Sequence, residues 1–532
     1  MLSRFLLACL CCGLLLVVLP GCGESVEDAQ VLRRGNGGEP GSLDPALAED
    51  VHAFNVLRDL YEGLVTEAPD GSLVPGVARL WEVSDDGLGY TFQLRDDALW
   101  SDGSPVVAGD FIASLRRALS PDSQSPYAFL LYPILNARAV AGGEMPLAAL
   151  GVRALNSKTL EIHLHSPTSY FPGILAMPIA FPLFQGQILD ARQFSDPASF
   201  VGNGPYVLKE RQVGSRIRLE KNPRFREAGT VDVPIIDYLP IEDPDAEYRM
   251  YRAGDLDITA TIPPAQIANI RSNRPEEVRI SPSLALYYIA LDLSESPMSD
   301  ATLRQALSMA LDRDVLVDII GRGEQPAYGV VPTGVSGYAG AHFDWQNKPQ
   351  NERQQRARTL YAQAGYGPEK PLRFTLMYDV GDIHETVALA VTAMWRDVLG
   401  ADVTLDKREW KYFLDTRDNR ADWQAMRFAW FGDYNDASTF LEIFRSDSPQ
   451  NLSGFRSPEY DELLDAAALT LDYDARSEYM NEAESYLLSA SPIIPLYFFV
   501  SKHLVSPRVV NYQSNILDVH RSQYIELTDT KP

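Results

Sequence analysis

The chain has 532 residues, of which 45% are hydrophobic, and this length predicts two or three folded domains. Its formal net charge of -25 gives a surface that repels phosphate backbones, which excludes nucleic acid as an expected partner. The ordinary apolar fraction also excludes an intrinsically disordered chain.

Residues 1–21 are predicted to be a lipoprotein signal peptide rather than part of the fold. Arg4 supplies a positive charge, and residues 5–19 form an apolar run, which is shorter than the roughly 20 residues of a membrane-spanning helix. The run leads into Leu19-Pro20-Gly21-Cys22, which resembles a bacterial lipobox. We therefore expect lipidation of Cys22 and a soluble body that this lipid tethers to the membrane.

The cysteines support this interpretation. All four lie in the leader or at its boundary, namely Cys9, Cys11, Cys12 and Cys22. After processing, Cys22 alone remains, and the lipid occupies its sulfur. The sequence therefore predicts a mature body with no disulfide and no thiolate metal site, although export permits cystines. No cofactor is expected.

The N-terminal half has the pattern of a mixed fold of strands and short helices. Strands are predicted at 31–34, 90–95, 160–165, 206–208 and 216–219, and helices at 55–64, 107–119 and 248–254. The glycine-rich residues 35–45 lack the spacing of a phosphate-binding motif and are predicted to form an ordered surface loop. His163 and His165 share one strand face without a third ligand, so we interpret them as exposed histidines and expect no metal.

The C-terminal half has α/β character. Strands at 373–378 and 402–405 flank a helix at 386–399 that Gly400 ends, and this order predicts a parallel crossover. Further helices are predicted after Asp300 or Ser299, at 349–364 and from 458 to about 489, and two apolar strands in the tail from Pro495.

The segment 426–435 combines an apolar strand with an acidic turn. Arg427, Ala429 and Phe431 fall on one face of the strand, and Asp433 follows the break at Gly432. A cation at one end and a carboxylate beyond the other suit an extended dipolar ligand. An isolated Asp in such a turn more often caps the loop, so the residues alone leave both interpretations open.

Catalytic motifs are absent from the sequence. It contains no HExxH, no GxSxG and no reactive cysteine. Its 72 acidic residues guarantee chance carboxylate pairs, so a glycosidase with paired acids has no specific support. A Ser-His-Asp enzyme is disfavoured but stays open. We predict no catalytic residues and no enzymatic activity.

Blocks along the whole chain resemble the family 5 extracellular solute-binding proteins. The most specific block is LRDDALWSDGSPV at residues 94–106. Other matching blocks, in the same order as in the family, are 34–35 with 42–45, 59–64, 202–206, 311–314 and 326–329. On residues 409–417 and 427–435, the chain is most similar to the periplasmic oligopeptide-binding proteins of ABC importers.

The resemblance implies an α/β fold of the periplasmic-binding-protein type (type II) with two lobes, an extra β-rich domain and a hinge. In the implied division, lobe I comprises 22–61, 186–284 and 502–532, the extra domain comprises 62–185, and lobe II comprises 285–501.

The resemblance also implies a peptide site. The position of Asp433 holds the α-ammonium group of the peptide, and the positions that meet its carboxylate are Arg427, Arg417 and His384. Positions that pair with the peptide backbone or line the cavity are Glu49, Val51, Tyr127, Trp410, Ala429 and Phe431.

Two features depart from the family pattern. Many relatives carry a cystine at the positions that match Ala285 and Phe431, whereas neither residue is Cys here. A lysine that serves the ligand carboxylate has no counterpart in 320–322. The first departure agrees with a body free of disulfides, and the second leaves the preferred peptide length open.

The implied function is capture of short peptides by closure of the lobes and delivery to an ABC permease in the inner membrane, with the protein acting as a monomer. Alternatives of the same class are specialisation for murein peptide, dipeptide or a non-peptide solute such as a metal chelate. An exported hydrolase and a purely structural surface lipoprotein are alternatives from other classes.

Overall fold

The computed structural model describes residues 30–409, 412–413, 416–417, 423–432, 434–448 and 450–528. The predicted signal peptide and Cys22 lie outside the described residues. Among the residues that are described, buried apolar side chains form two large clusters and one small cluster. The first large cluster is built from residues 32–258 with 505–525, and the second from residues 284–516.

Two four-stranded sheets pack in the first cluster. In strand Gly89–Leu94, Tyr90, Phe92 and Leu94 are buried and the alternate side chains are partly exposed, because one face of the sheet covers the core. In spatial order, one sheet contains Val31–Gly35, Ile235–Leu239, Arg216–Lys221 and Tyr206–Gln212, and the other contains Ala78–Val83, Gly89–Leu94, Thr159–His163 and Val152–Asn156. The strands predicted in this half are confirmed, with shifted ends.

A six-stranded mixed sheet forms the centre of the second cluster. Its strands, in spatial order, are Gln325–Pro326, Ile493–Leu504, Val278–Leu291, Ala425–Phe431, Arg373–Asp379 and Asp402–Arg408. Arg373–Asp379 runs parallel to Asp402–Arg408, and helix Asp382–Leu399 connects the two strands. The predicted parallel crossover is therefore confirmed.

Two long strands of this sheet connect the cores. Val278–Leu291 and Ile493–Leu504 pair antiparallel from Val278 opposite Leu504 to Ala290 opposite Ile493. Their inner residues belong to the second cluster, while Leu504 belongs to the small cluster of Tyr251, Leu256 and their neighbours. The next residue along the chain, Val505, is buried in the first cluster, so strand Ile493–Leu504 leads from one large core to the other.

Helix ends follow local caps. Asp50 accepts a hydrogen bond of 2.8 Å from the N–H of Ala53 and starts helix Val51–Leu60, while Ser457 caps Pro458–Leu469. Gly400, at φ 71°, ends Asp382–Leu399. The other helices described are Ala108–Ala118, Ala137–Ala141, Phe171–Leu175, Gln185–Leu189, Pro244–Ala253, Ile267–Asn273, Ala301–Ala310, Arg313–Ile320, Gln350–Gln363, Ser438–Leu441 and Tyr473–Ala490. Short strands are Val65–Glu67, Leu73–Pro75, Val509–Val510 and Glu526–Leu527.

The glycine-rich segment 35–45 is not the surface loop that we predicted. Asn36 and Asp44 are buried, and the carboxylate of Asp44 accepts two hydrogen bonds from Arg117, at 2.8 and 2.5 Å. This distant cation compensates the charge of the buried carboxylate, which a sequence pattern within the segment does not reveal.

Two other predictions need correction. The helix predicted at 55–64 begins at Val51 and ends at Leu60, because the cap at Asp50 precedes the apolar positions that indicated it. The tail, for which two strands were predicted from Pro495, contains the long strand Ile493–Leu504, which begins before Pro495, and the two-residue strands Val509–Val510 and Glu526–Leu527. None of the helices in the described part of the chain is both long and apolar enough to cross a bilayer.

Candidate ligand-binding site

A chamber of about 490 Å³ opens between the two large cores. Its walls come from both: Glu49, Val51, Phe54, Arg58, Glu67, Tyr127 and Tyr170 on the side of the first core, and Leu284, Phe431, Gly432, Tyr434, Tyr473 and Ile516 on the side of the second. Its size lies in the range of protein sites for small ligands, roughly 300–1,000 Å³.

Four of the predicted site residues line this chamber, namely Glu49, Val51, Tyr127 and Phe431. Val51 and Phe431 are large apolar side chains with exposures of 57% and 60%, so both are accessible to a ligand. Asp433 and Trp410 lie outside the described residues. Gly432 and Tyr434, which flank Asp433 in the chain, are part of the chamber lining.

Phe431 ends a strand whose outer edge is largely unpaired among the strands of the described residues. Strand Ala425–Phe431 pairs along its length with Val278–Leu291, but its other edge pairs with Arg373–Asp379 only at Ala425 and Met426 in the ladders between described strands.

The register shows which backbone groups face that edge. Gly432 donates its N–H to the carbonyl of Leu284 at 2.7 Å, so Ala285 and Phe431 form a pair without mutual hydrogen bonds. Alternate residues of a strand direct their N–H and C=O groups to opposite edges. The backbone groups of Ala429 and Phe431 therefore point away from Val278–Leu291, toward the open edge.

A stacked tyrosine pair joins the two walls. The rings of Tyr170 and Tyr434 lie 4.2 Å apart and are nearly parallel, at 5°. Burial raises the pKa of Tyr170 to about 12, so this hydroxyl keeps its proton at neutral pH. Both rings also line a second cavity of about 790 Å³, with Glu442, Arg445 and other residues. The pair thus separates two spaces between the cores.

The predicted cations Arg427 and His384 lie together beside the sheet, outside the chamber lining. Arg427 is 8% exposed and forms an ion pair with the buried Asp379, whose other oxygen is 3.8 Å from Nε2 of His384. The Tyr287 hydroxyl is 3.1 Å from Nδ1 of His384. Burial, together with the charge of Arg427, lowers the pKa of His384 to about 4, so its imidazole is neutral at ordinary pH.

Arg417, the third predicted cation, lies near the same strand. Its guanidinium carbon is 5.5 Å from the ring centroid of Phe428. The structure therefore places Arg427 and His384 in one cluster and Arg417 next to a residue of the same strand.

Asp379 and Tyr287 were missed by the sequence interpretation. Asp379 is the last residue of the parallel strand Arg373–Asp379, and the carboxyl ends of such strands commonly carry ligand sites. That rule was the signal that could have indicated Asp379. Tyr287 lies in the middle of an apolar strand and offers no comparable signal.

A buried charge triad under the chamber was also missed. Glu67 bonds Arg58 at 3.1 Å and Arg521 at 2.7 Å, and Arg58 and Glu67 line the chamber. Burial opposes ionisation of Glu67, but the guanidiniums of Arg521 and Arg58 outweigh it and lower the pKa of this carboxyl. The carboxylate of Glu67 is thus shared by two guanidiniums, of which that of Arg58 lines the chamber.

Two cores, connecting strands and a ligand-sized chamber between the cores define a two-lobed α/β binding protein of the periplasmic type. Residues 72–451 match the model of the bacterial extracellular solute-binding proteins, family 5 (middle region), and the chain belongs to this family. Members of the family are solute-binding proteins of transporters and not enzymes.

Two curated relatives match nearly the whole chain. The periplasmic murein peptide-binding protein MppA of Escherichia coli is 36% identical over 496 residues, which cover 93% of this chain and 92% of MppA. The periplasmic oligopeptide-binding protein OppA of Salmonella typhimurium is 37% identical over 495 residues, which cover 92% of this chain and 91% of OppA. Both relatives are periplasmic binding proteins.

Two solved structures show the state of the lobes. The unliganded open form of MppA, at 36% identity, superposes with a TM-score of 0.88 and covers 94% of this chain and 97% of that chain. OppA of Haemophilus influenzae in complex with the peptide RPPGFSPFR, at 32% identity, gives a TM-score of 0.72. The match covers 94% of this chain and 99% of that OppA chain. The arrangement described here is therefore similar to that of an open, unliganded binding protein.

Proposed function

We propose that this protein is the substrate-binding lipoprotein of an ABC importer, which captures short peptides and delivers them to a permease in the inner membrane. The names of its relatives MppA and OppA, which specify murein peptide and oligopeptide, support a peptide ligand. The observation that carries the proposal is the open edge of strand Ala425–Phe431 beside the chamber.

A peptide binds there as an added strand. The backbone groups of Ala429 and Phe431 pair with the peptide backbone, and Glu49 to Val51 contact it from the opposite wall. Such pairing uses groups that every peptide offers, so it tolerates different side chains and leaves selectivity to the surrounding pockets and water. Tyr127 and Trp410 belong to those pockets.

The terminal charges of the peptide set its direction. Asp433, just beyond Phe431, binds the α-ammonium group. Arg427 lies four residues before Phe431 on the same strand face, roughly 13 Å away at the rise of an extended chain. A carboxylate at that end meets Arg427, with Arg417 and His384 beside it, so the spacing suits peptides of about three to five residues.

The two cores correspond to the lobes of the importer subunit. We assign 22–61, 186–284 and 502–532 to lobe I, 62–185 to the extra domain and 285–501 to lobe II. The sheets and core clusters support this division. Residues 1–21 are the signal peptide, and a lipid on Cys22 anchors the monomeric body to the membrane.

The role of Asp433 is tested by calorimetry with a tripeptide. Removing one partner of a buried charge pair costs about 3–5 kcal/mol, so Asp433→Ala is expected to lower the affinity at least about 100-fold. Asp397→Ala, which removes an exposed carboxylate from the same lobe, is the matched control and retains binding. Circular dichroism of both variants checks the fold.

Unchanged affinity of Asp433→Ala would refute this assignment, and so would equal affinity for an N-acetylated tripeptide. Mass spectrometry of the ligand that co-purifies from cells separates oligopeptide from murein peptide, dipeptide and non-peptide solutes. Incubation of peptides with the protein tests the hydrolase alternative, which predicts their cleavage.

A further inference from the structure

Three side chains outside strand Ala425–Phe431 meet at the chamber wall. His503 lies near the end of strand Ile493–Leu504, and Asp518 and His520 lie in the segment that follows. One carboxylate oxygen of Asp518 is 2.8 Å from Nε2 of His503 and 3.0 Å from Nε2 of His520. Both imidazoles are buried, whereas the Asp518 side chain is 35% exposed and lines the chamber.

The opposite ring nitrogen of His503 is held by the backbone. Its Nδ1 lies 2.8 Å from the carbonyl oxygen of Thr259, and a carbonyl only accepts, so Nδ1 carries a proton and donates. Its Nε2 lies 2.8 Å from a carboxylate oxygen of Asp518, which also only accepts, so Nε2 donates to Asp518 and releases this proton when a metal ion binds. A carbonyl that fixes the tautomer in this way is the usual outer partner of a metal-binding histidine.

We propose that His503, Asp518 and His520 form a binding site for a divalent transition metal ion such as Zn²⁺, with an open coordination position toward the chamber. Two imidazoles and one carboxylate are a common ligand set for zinc and for related ions. The three ligand atoms lie within 4.8 Å of one another.

Binding a metal ion requires small shifts of the three donors. Donors bound at about 2.0–2.1 Å around a tetrahedral ion lie roughly 3.3 Å apart, so the separations of 2.8 and 3.0 Å from Asp518 widen by a few tenths of an ångström, and the two Nε2 atoms, which lie within 4.8 Å of each other, adopt a similar separation. The protons on the two Nε2 atoms pass to solvent as the ion binds. Because Asp518 faces the chamber, the fourth position is accessible to water or to a ligand group.

Two further side chains, Tyr512 and Arg34, lie next to His520. The Tyr512 ring stacks on His520 at 4.2 Å, and its buried hydroxyl has no hydrogen-bond partner among the described residues. The Arg34 guanidinium bonds the carbonyl of His520 and Ser522 Oγ, both at 2.7 Å. These two hydrogen bonds fix the backbone position of His520.

The test uses the purified mature protein and Co²⁺, whose visible absorption reports coordination by protein donors. We expect one equivalent of Co²⁺ to give bands of a four- or five-coordinate site, and Zn²⁺ to displace it while Mg²⁺ does not. His503→Gln and His520→Gln are each expected to weaken Zn²⁺ binding at least about 100-fold. The control is His163→Gln, which removes a partly exposed histidine paired with Glu161 and leaves binding unchanged.

Circular dichroism checks that each variant folds, and Asp518→Asn, which preserves side-chain size, provides a third variant. Absence of stoichiometric binding by the wild type, or the same Co²⁺ spectrum in the folded variants, would overturn the proposal. The metal measurements contain no peptide, so their outcome is independent of whether peptides are the transported solute.

Discussion

The ion pair of Arg427 with Asp379 decides how the strand presents its cation. Both side chains are buried, so loss of either partner leaves an uncompensated charge, which costs about 3–5 kcal/mol. Asp379 holds the guanidinium beside the sheet while no ligand is bound. We interpret Asp379 as a positioning residue that keeps Arg427 ordered until a carboxylate arrives.

The first prediction concerns the titration of His384. Burial and the charge of Arg427 lower its pKa to about 4. Between pH 6.5 and 4, His384 therefore binds a proton in the unfolded chain but stays neutral in the folded protein. The free energy of unfolding consequently decreases as the pH falls, by at most about 1.4 kcal/mol per pH unit. NMR titration of the imidazole and urea unfolding at pH 6.5 and 4.5 measure both effects.

His384→Gln is expected to reduce this pH dependence of unfolding while keeping a neutral polar side chain near Tyr287. An NMR midpoint close to the ordinary histidine value of about 6.5 would contradict the predicted environment of His384.

At the scale of elements, the pairing of Ala425–Phe431 with Val278–Leu291 places Ala285 opposite Phe431. These positions match the cystine that many relatives carry, as the sequence resemblance implied. Residues of such a pair without mutual hydrogen bonds have Cα atoms about 4.5 Å apart, inside the range that a disulfide spans. The register therefore retains the geometry of a bond that this chain lacks.

The second prediction follows from that register. Ala285→Cys combined with Phe431→Cys is expected to form a disulfide on oxidation and to stabilise the fold by about 2–4 kcal/mol, mainly by constraining the unfolded chain. Non-reducing peptide mapping detects the disulfide, and urea unfolding with and without reductant measures the gain in stability. The single variants serve as controls, and two free thiols after oxidation would show that the register is different.

At the scale of the whole molecule, the two cores, which are joined by long strands, are arranged similarly to those of the unliganded open form of MppA. The stacked Tyr170 and Tyr434 already bring the walls together at one end of the chamber. A peptide that contacts both walls binds the closed form better and shifts the population toward it.

The third prediction is that adding a tripeptide lowers the radius of gyration measured by small-angle X-ray scattering. Asp433→Ala, mixed with the same peptide concentration, should keep the dimensions of the free protein. An identical scattering profile for the wild type with and without bound peptide would show that binding does not require closure.

Local patterns predicted many elements of the fold, and the family resemblance predicted some residues of the candidate site. The alternation of Tyr90, Phe92 and Leu94 and the cap at Asp300 predicted elements correctly, because periodicity and capping depend on neighbouring residues. The family resemblance predicted four residues that line the chamber, namely Glu49, Val51, Tyr127 and Phe431.

Only the tertiary structure decided which distant charges meet. Asp379 with Arg427, and Glu67 with Arg521, are separated by 48 and 454 residues, and His503 meets Asp518 and His520 through the packing of the tail. No local pattern encodes such contacts, since the order of the strands and the desolvation of each group select its partner. In the same way, Asp44 in segment 35–45 is paired with Arg117, which lies 73 residues further along the chain.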